Sequence, residues 1–199
     1  MKRLLVTFAL ALVFLAGVNA QDWAMTLGAD QGLPGYLAKK GELNKVYVYK
    51  SSVIRPGKAI NSFRFTVVGT NNGEKPNGTN LCFALAEFTI YDAQGNKVDY
   101  TVSSNADHNV LSGGTDGQGL KALKDGDYNT YFHSMWAGNN PVTDFHHLEF
   151  EFATPLSEFI IEWSPRYNAN GTVNKNAPTM VGLTEKGVAY TPYQDVDYS

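Results

Sequence analysis

From Phe63 the chain alternates. Phe63, Phe65 and Val67 point one way, and Arg64 and Thr66 the other. A period of two predicts a strand with one buried face. The same period recurs in Ala84–Tyr91, where Ala84, Ala86, Phe88 and Ile90 share a face opposite Glu87 and Thr89. It recurs with Val98, Tyr100 and Val102, then with Leu148, Phe150 and Phe152, and again with Phe159, Ile161 and Trp163. Val46–Tyr49 and Thr179–Thr184 add two further strands. Asp92-Ala93-Gln94-Gly95-Asn96 is a short polar link, so Ala84–Ser103 reads as a hairpin. Pro155 reads as the close of one strand before the next. Only Leu120–Lys124 offers a helical turn. Many short strands with one apolar face each imply two sheets packed face to face. The predicted fold class is all-β, an antiparallel β-sandwich.

The start of the chain has another pattern. Lys2 and Arg3 precede an uncharged, mostly apolar run from Leu4 to Gly17, and Val18-Asn19-Ala20 ends it on a small residue. That order is a secretory signal peptide over residues 1–20, too short to span a bilayer. The expected protein is therefore exported: secreted, on the cell surface or in a periplasm. Residues 21–43 read as a leader with loose structure at the domain edge, 44–190 as one sandwich domain, and 191–199 as a C-terminal tail. The net charge is −3 and no Lys/Arg run exceeds a pair, which argues against nucleic acid and anionic membranes as partners. No later segment is long and apolar enough to span a membrane. The single cysteine, Cys82, cannot form an intrachain disulfide and reads as a small buried apolar residue.

Three polar groups interrupt the strand pattern in long connections, where function concentrates. Asp125-Gly126-Asp127-Tyr128-Asn129-Thr130 either wraps a hard cation with closely spaced oxygens or is a self-capped Asp-Gly turn. His133-Ser134-Met135-Trp136 either offers a sugar an apolar ring with a polar neighbour, or is a core Trp beside a surface His. Arg166-Tyr167-Asn168-Ala169-Asn170-Gly171 supplies planar donors and amides, or is a solvated loop. Glu149, Glu151 and Glu162 lie on polar strand faces, with no partner that would make them a catalytic pair. His146 and His147 point to opposite sides of a strand. No nucleophile elbow, zinc-protease motif or phosphate loop occurs. The expectation is a protein that is not an enzyme.

Leu123–Trp136, with its Asp-Gly-Asp stretch leading through Thr130 to His133, resembles a loop of the discoidin (coagulation factor 5/8 type C, galactose-binding-like) domain family. His147–Phe152 and Phe159–Arg166 resemble the strands that follow it. Ala84–Tyr91, with its Ala-Glu pair, resembles the strand that closes ordinary members. Here that strand comes first. Either the chain is circularly permuted, or Val46–Tyr91 is the tail of one domain and the rest the head of another. Permutation is the preferred reading, because the two pieces together supply one sandwich's worth of strands. The resemblance implies a jelly-roll sandwich of galactose-binding-like type, a structural Ca2+ held by Glu87, Asp125, Asp127 and Thr130, and a sugar site. In that site His133, Arg166 and Asn170, with Asn168 as alternate, grip hydroxyls beside Trp136. The implied function is a non-catalytic module recognising carbohydrate or a glycoconjugate, with a galactose-like terminal sugar. The alternative is a cell-surface adhesion or assembly module that binds a protein.

Overall fold

Each alternating run becomes a strand because pleating sends successive side chains to opposite faces, and one face can then be buried. The computed structural model describes residues 23–28, 37–43, 46–72, 82–115, 117–136 and 141–191. The signal-peptide segment lies outside the described residues. The strands are β1 (Ala24–Gly28), β2 (Leu37–Leu43), β3 (Val46–Ser51), β4 (Ile60–Thr70), β5 (Ala84–Tyr91) and β6 (Lys97–Val98). They continue with β7 (Thr101–Ser104), β8 (Phe132–His133), β9 (His147–Leu156), β10 (Ile160–Pro165) and β11 (Pro178–Thr184). One antiparallel sheet runs β1-β11-β4-β9-β7. The other runs β2-β3-β10-β5-β6, with β8 paired beside the start of β5. The molecule is an all-β sandwich. Among the described residues no helix is long and apolar enough to cross a membrane.

The core is an aromatic layer between the sheets. Phe63, Phe65, Phe88, Phe150, Phe159 and Trp163 are all essentially fully buried. Phe88 stacks on Phe150 at 4.3 Å, and Phe65 meets Trp163 edge-on at 5.0 Å, so rings from opposite sheets interlock. The predicted faces of β4, β9 and β10 are the buried ones. On β5 the alternation breaks, because Leu85 and Phe88 both enter the core. The pairing of β10 with β5 shifts register between Ser164 and Pro165 at this point, and a bulge of that kind swaps the face a strand presents.

Three expectations differ from the structure. The segment read as a loose leader contains β1 and β2, each an edge strand. The hairpin is real for β5 and β6, but β7 leaves it to pair with β9 in the other sheet. Tyr100 stands at the crossing, its hydroxyl bonded to the carbonyls of Phe88 and Leu123 at 2.9 and 3.0 Å, which ties the departing chain to β5. Strand β9 runs through Pro155 to Leu156, because its pairing with β4 resumes at Ile60 after a register shift.

The outer face of the first sheet is covered by the chain after β11. Gly187 N–H donates to Glu149, Lys186 to Glu151, and Thr184 Oγ1 to the Val188 carbonyl. Tyr190 then lies across Gly182, where a Cβ would meet its ring at 2.1 Å, and its hydroxyl bonds Thr26 on β1. This strap helps bury Thr66 and Thr184 on a face that would otherwise be wet.

Candidate functional site

Strand β8 is short, yet several segments hold it in place. His133 pairs with Ala84 on β5. Ser134 N–H donates to the Phe83 carbonyl at 2.9 Å, Ser134 Oγ accepts from Phe83 N–H at 2.8 Å, and Met135 N–H donates to the Ala106 carbonyl at 2.8 Å. On the far side is a short helix, α1 (His108–Ser112). Asp107 caps it by accepting from Asn109 and Val110 N–H, and Gly113 closes it at φ +66°. The helix lies within a connection that reads as irregular from sequence, and it carries His108 to the site.

A row of rings results. The His108 ring stacks on Trp136 with centroids 3.7 Å apart. His133 meets Trp136 edge-on at 4.6 Å and Tyr131 at 6.4 Å. At the end of the row the Arg166 guanidinium lies 3.8 Å from the Tyr131 ring centre. Tyr131 comes close to the loop before it because residue 117 is glycine at φ +63°. A Cβ there would lie 2.2 Å from the Tyr131 carbonyl oxygen. His133, Trp136 and Arg166 are thus brought to one end of the sandwich. His108 and Tyr131, which sequence reasoning missed, are the connecting rings. The signal for Tyr131 was its place two residues before His133.

The roles within the row differ from the sequence expectation. Trp136 is half-buried, and among the described residues its contacts are to the rings of His108 and His133. His133 is buried, with Nδ1 donating to the Ser134 carbonyl at 2.6 Å. That bond leaves Nε2 towards Cys82 Sγ at 3.7 Å, and Cys82 Sγ also accepts from Asn176 Nδ2 at 3.0 Å. Cys82 is buried as expected, but among polar groups, and His133 is the buried member of the row. Asn168 and Asn170 stand apart. Asn168 donates to Thr172 Oγ1 at 3.0 Å and accepts from Asn174 at 2.8 Å, while Asn170 accepts from Thr172 Oγ1 at 2.7 Å. Among the described residues their side-chain hydrogen bonds stay within the 168–174 loop.

The Asp125 loop lies beside β5 and leads into Tyr131. Asp125 accepts from Asp127 N–H at 2.8 Å and from Thr130 Oγ1 at 2.8 Å. Asp127 accepts from Asn129 N–H at 2.9 Å, so its carboxylate is turned to its own turn. Glu87 accepts from Gly126 N–H at 2.6 Å. Burial and the neighbouring Asp125 carboxyl push Glu87 up to about 7, against the pull of Gly126 N–H and Lys97. A groove of about 300 Å³ between Glu87, Thr89, Lys97, Asp99, Tyr100 and Lys124 gives solvent access to this carboxyl. Glu87 and Asp125 therefore meet at the Gly126 turn, and Asp127 does not join them. Among the described residues no three or more His, Cys, Asp or Glu side chains converge as metal ligands. No family model and no curated protein matches this chain.

Proposed function

We propose that the chain is a non-catalytic binding module of an exported protein, and that it recognises a terminal sugar at the ring row beside β8. The observation that carries this reading is the half-exposed Trp136 in one row with the Arg166 guanidinium. A pyranose has an apolar face for an indole and a rim of hydroxyls for planar donors. The polar grip falls to Arg166 and the Trp136 N–H, with His133 as the buried member of the row. Asn168 and Asn170 drop out of that role. A shallow site of this kind binds weakly, because it buries little of its ligand. A glycan array with wild type and Trp136→Ala tests it. Retention of a sugar class by wild type alone is expected. Equal or absent retention by both would remove the carbohydrate reading.

Glu87 and Asp125 also suit a cation. Two adjacent carboxylates, one of them driven towards its protonated form, are relieved by a divalent charge. In this reading Ca2+ is held by Glu87, Asp125, Thr130 and backbone carbonyls, and it fixes the loop that delivers Tyr131 to the site. The discoidin-like descent and the permuted strand order stay with the proposal. The pairing of β1 with β11 is compatible with the permuted order, since permutation is tolerated where chain ends lie close together.

A protein partner is the second reading. Val110 and Leu111 on α1 are 76% and 39% exposed beside His108, and apolar side chains so placed suit a protein surface. A pull-down that keeps a protein partner in excess free sugar, and loses it with Val110→Asp, would favour this reading.

A further inference from the structure

We infer that the ligand of this site carries a carboxylate and that Arg166 is the residue that selects it; the inference rests on the carbohydrate reading above. Arg166 is set rigidly. Its N–H donates to the Ala84 carbonyl at 3.3 Å, its own carbonyl accepts from Asn174 N–H at 2.9 Å, and its guanidinium lies over the Tyr131 ring. That cation–π contact places the guanidinium against the ring but supplies no counter-charge. Arg55 and Arg64 are paired with Glu158 and Glu149 at 3.0 and 2.8 Å. Arg166 has no acidic partner among the described residues, and its buried Nε–H has no acceptor.

The acids close to the site in sequence are already engaged. Asp107 caps α1, Asp125 holds Thr130, and Asp127 holds Asn129. The row itself contributes His108, His133 and Arg166 and no carboxylate, although the whole chain carries −3. A half-buried guanidinium with no acidic partner among the described residues has lost solvation that a neutral hydroxyl restores only in part. A carboxylate restores it with charge and with geometry, because the fork matches two carboxylate oxygens. Among sugars with a galactose frame, a uronic acid meets both the ring row and the Arg166 guanidinium.

The full mature chain, titrated by NMR with galacturonic acid, its methyl ester and galactose, tests this. The ester keeps the ring and removes the charge. Wild type is expected to bind the acid about tenfold more tightly than the ester or galactose, the scale of one charge-assisted hydrogen-bonded pair. Arg166→Gln should abolish that gap. Arg166→Lys, which keeps the charge without the fork, should lose several-fold for the acid alone, and it stands in if the glutamine variant fails to fold. Equal binding of acid and ester by wild type would overturn the carboxylate inference and leave the carbohydrate reading intact. An acid preference that survives in Arg166→Gln would overturn the role of Arg166. Saturable binding by none of the three would overturn both readings.

Discussion

Glu87 is the residue whose chemistry departs furthest from its alternation pattern. The period of two places it on the face away from the core, and it does lie there. The pattern alone does not bring the 125–130 loop down on top of it. The loop supplies Gly126 N–H and the Asp125 carboxyl, and burial makes the charged form of Glu87 costly. Its folded pKa of about 7 stands above an unfolded value near 4.3. The folded state therefore holds this proton more tightly than the unfolded chain does. The associated stability is present at low pH and is lost as pH rises through about 7. Glu87→Gln keeps the neutral form and can still accept from Gly126. Without calcium, the melting temperature of wild type should fall relative to Glu87→Gln between pH 5 and pH 8. A constant difference across that window would mean that Glu87 titrates normally.

At the scale of elements, the Asp125 loop and β8 act together, since one leads directly into the other. The strands on either side were legible because each carries its own alternation. Strand β8 was not, since it is two residues long and its place depends on Phe83, Ala106 and Ala84. The departure of β7 from its hairpin was likewise hidden. Val98, Tyr100 and Val102 keep one period while the chain changes sheets around Tyr100. For the candidate site, the sequence pointed to His133, Trp136 and Arg166, which the fold brings into one row with Tyr131 and His108. It could not see that His133 faces Cys82, or that Asn168 and Asn170 close their own loop. A 100-fold excess of Ca2+ over its Kd should add about 2.7 kcal/mol, or roughly 5–10 °C in melting temperature for a chain of this size. Asp125→Asn should remove most of that gain. Unchanged melting with a chelator and with added Ca2+ would leave the loop as a self-capped turn.

Across the whole molecule, one aromatic core joins the sheets and the strap after β11 covers the outer face of one of them. The core was legible from the strand faces. The strap was not, because Gly182 reads as a weak point in a strand, whereas in the fold its missing side chain is the seat for Tyr190. Gly182→Ala should cost about 1–3 kcal/mol by forcing the ring off the sheet, read as a lower urea midpoint with a similar slope. Tyr190→Ala combined with it should recover part of that loss, since the clash would be gone. Additive losses would show that the two residues are not coupled.

The recognition claim can be read from the three tryptophans. Trp23 and Trp163 are buried, at 8% and 1% exposure, and Trp136 is half-buried at the end of the sandwich. A 15N-labelled chain should give three indole N–H signals, one of which disappears in Trp136→Ala. Titration with galactose and galacturonic acid should move that one signal saturably and leave the two core indoles in place. If the Trp136 signal stays fixed at sugar concentrations up to tens of millimolar, where even weak sites of about −3 to −4 kcal/mol begin to fill, the ring row does not bind these sugars.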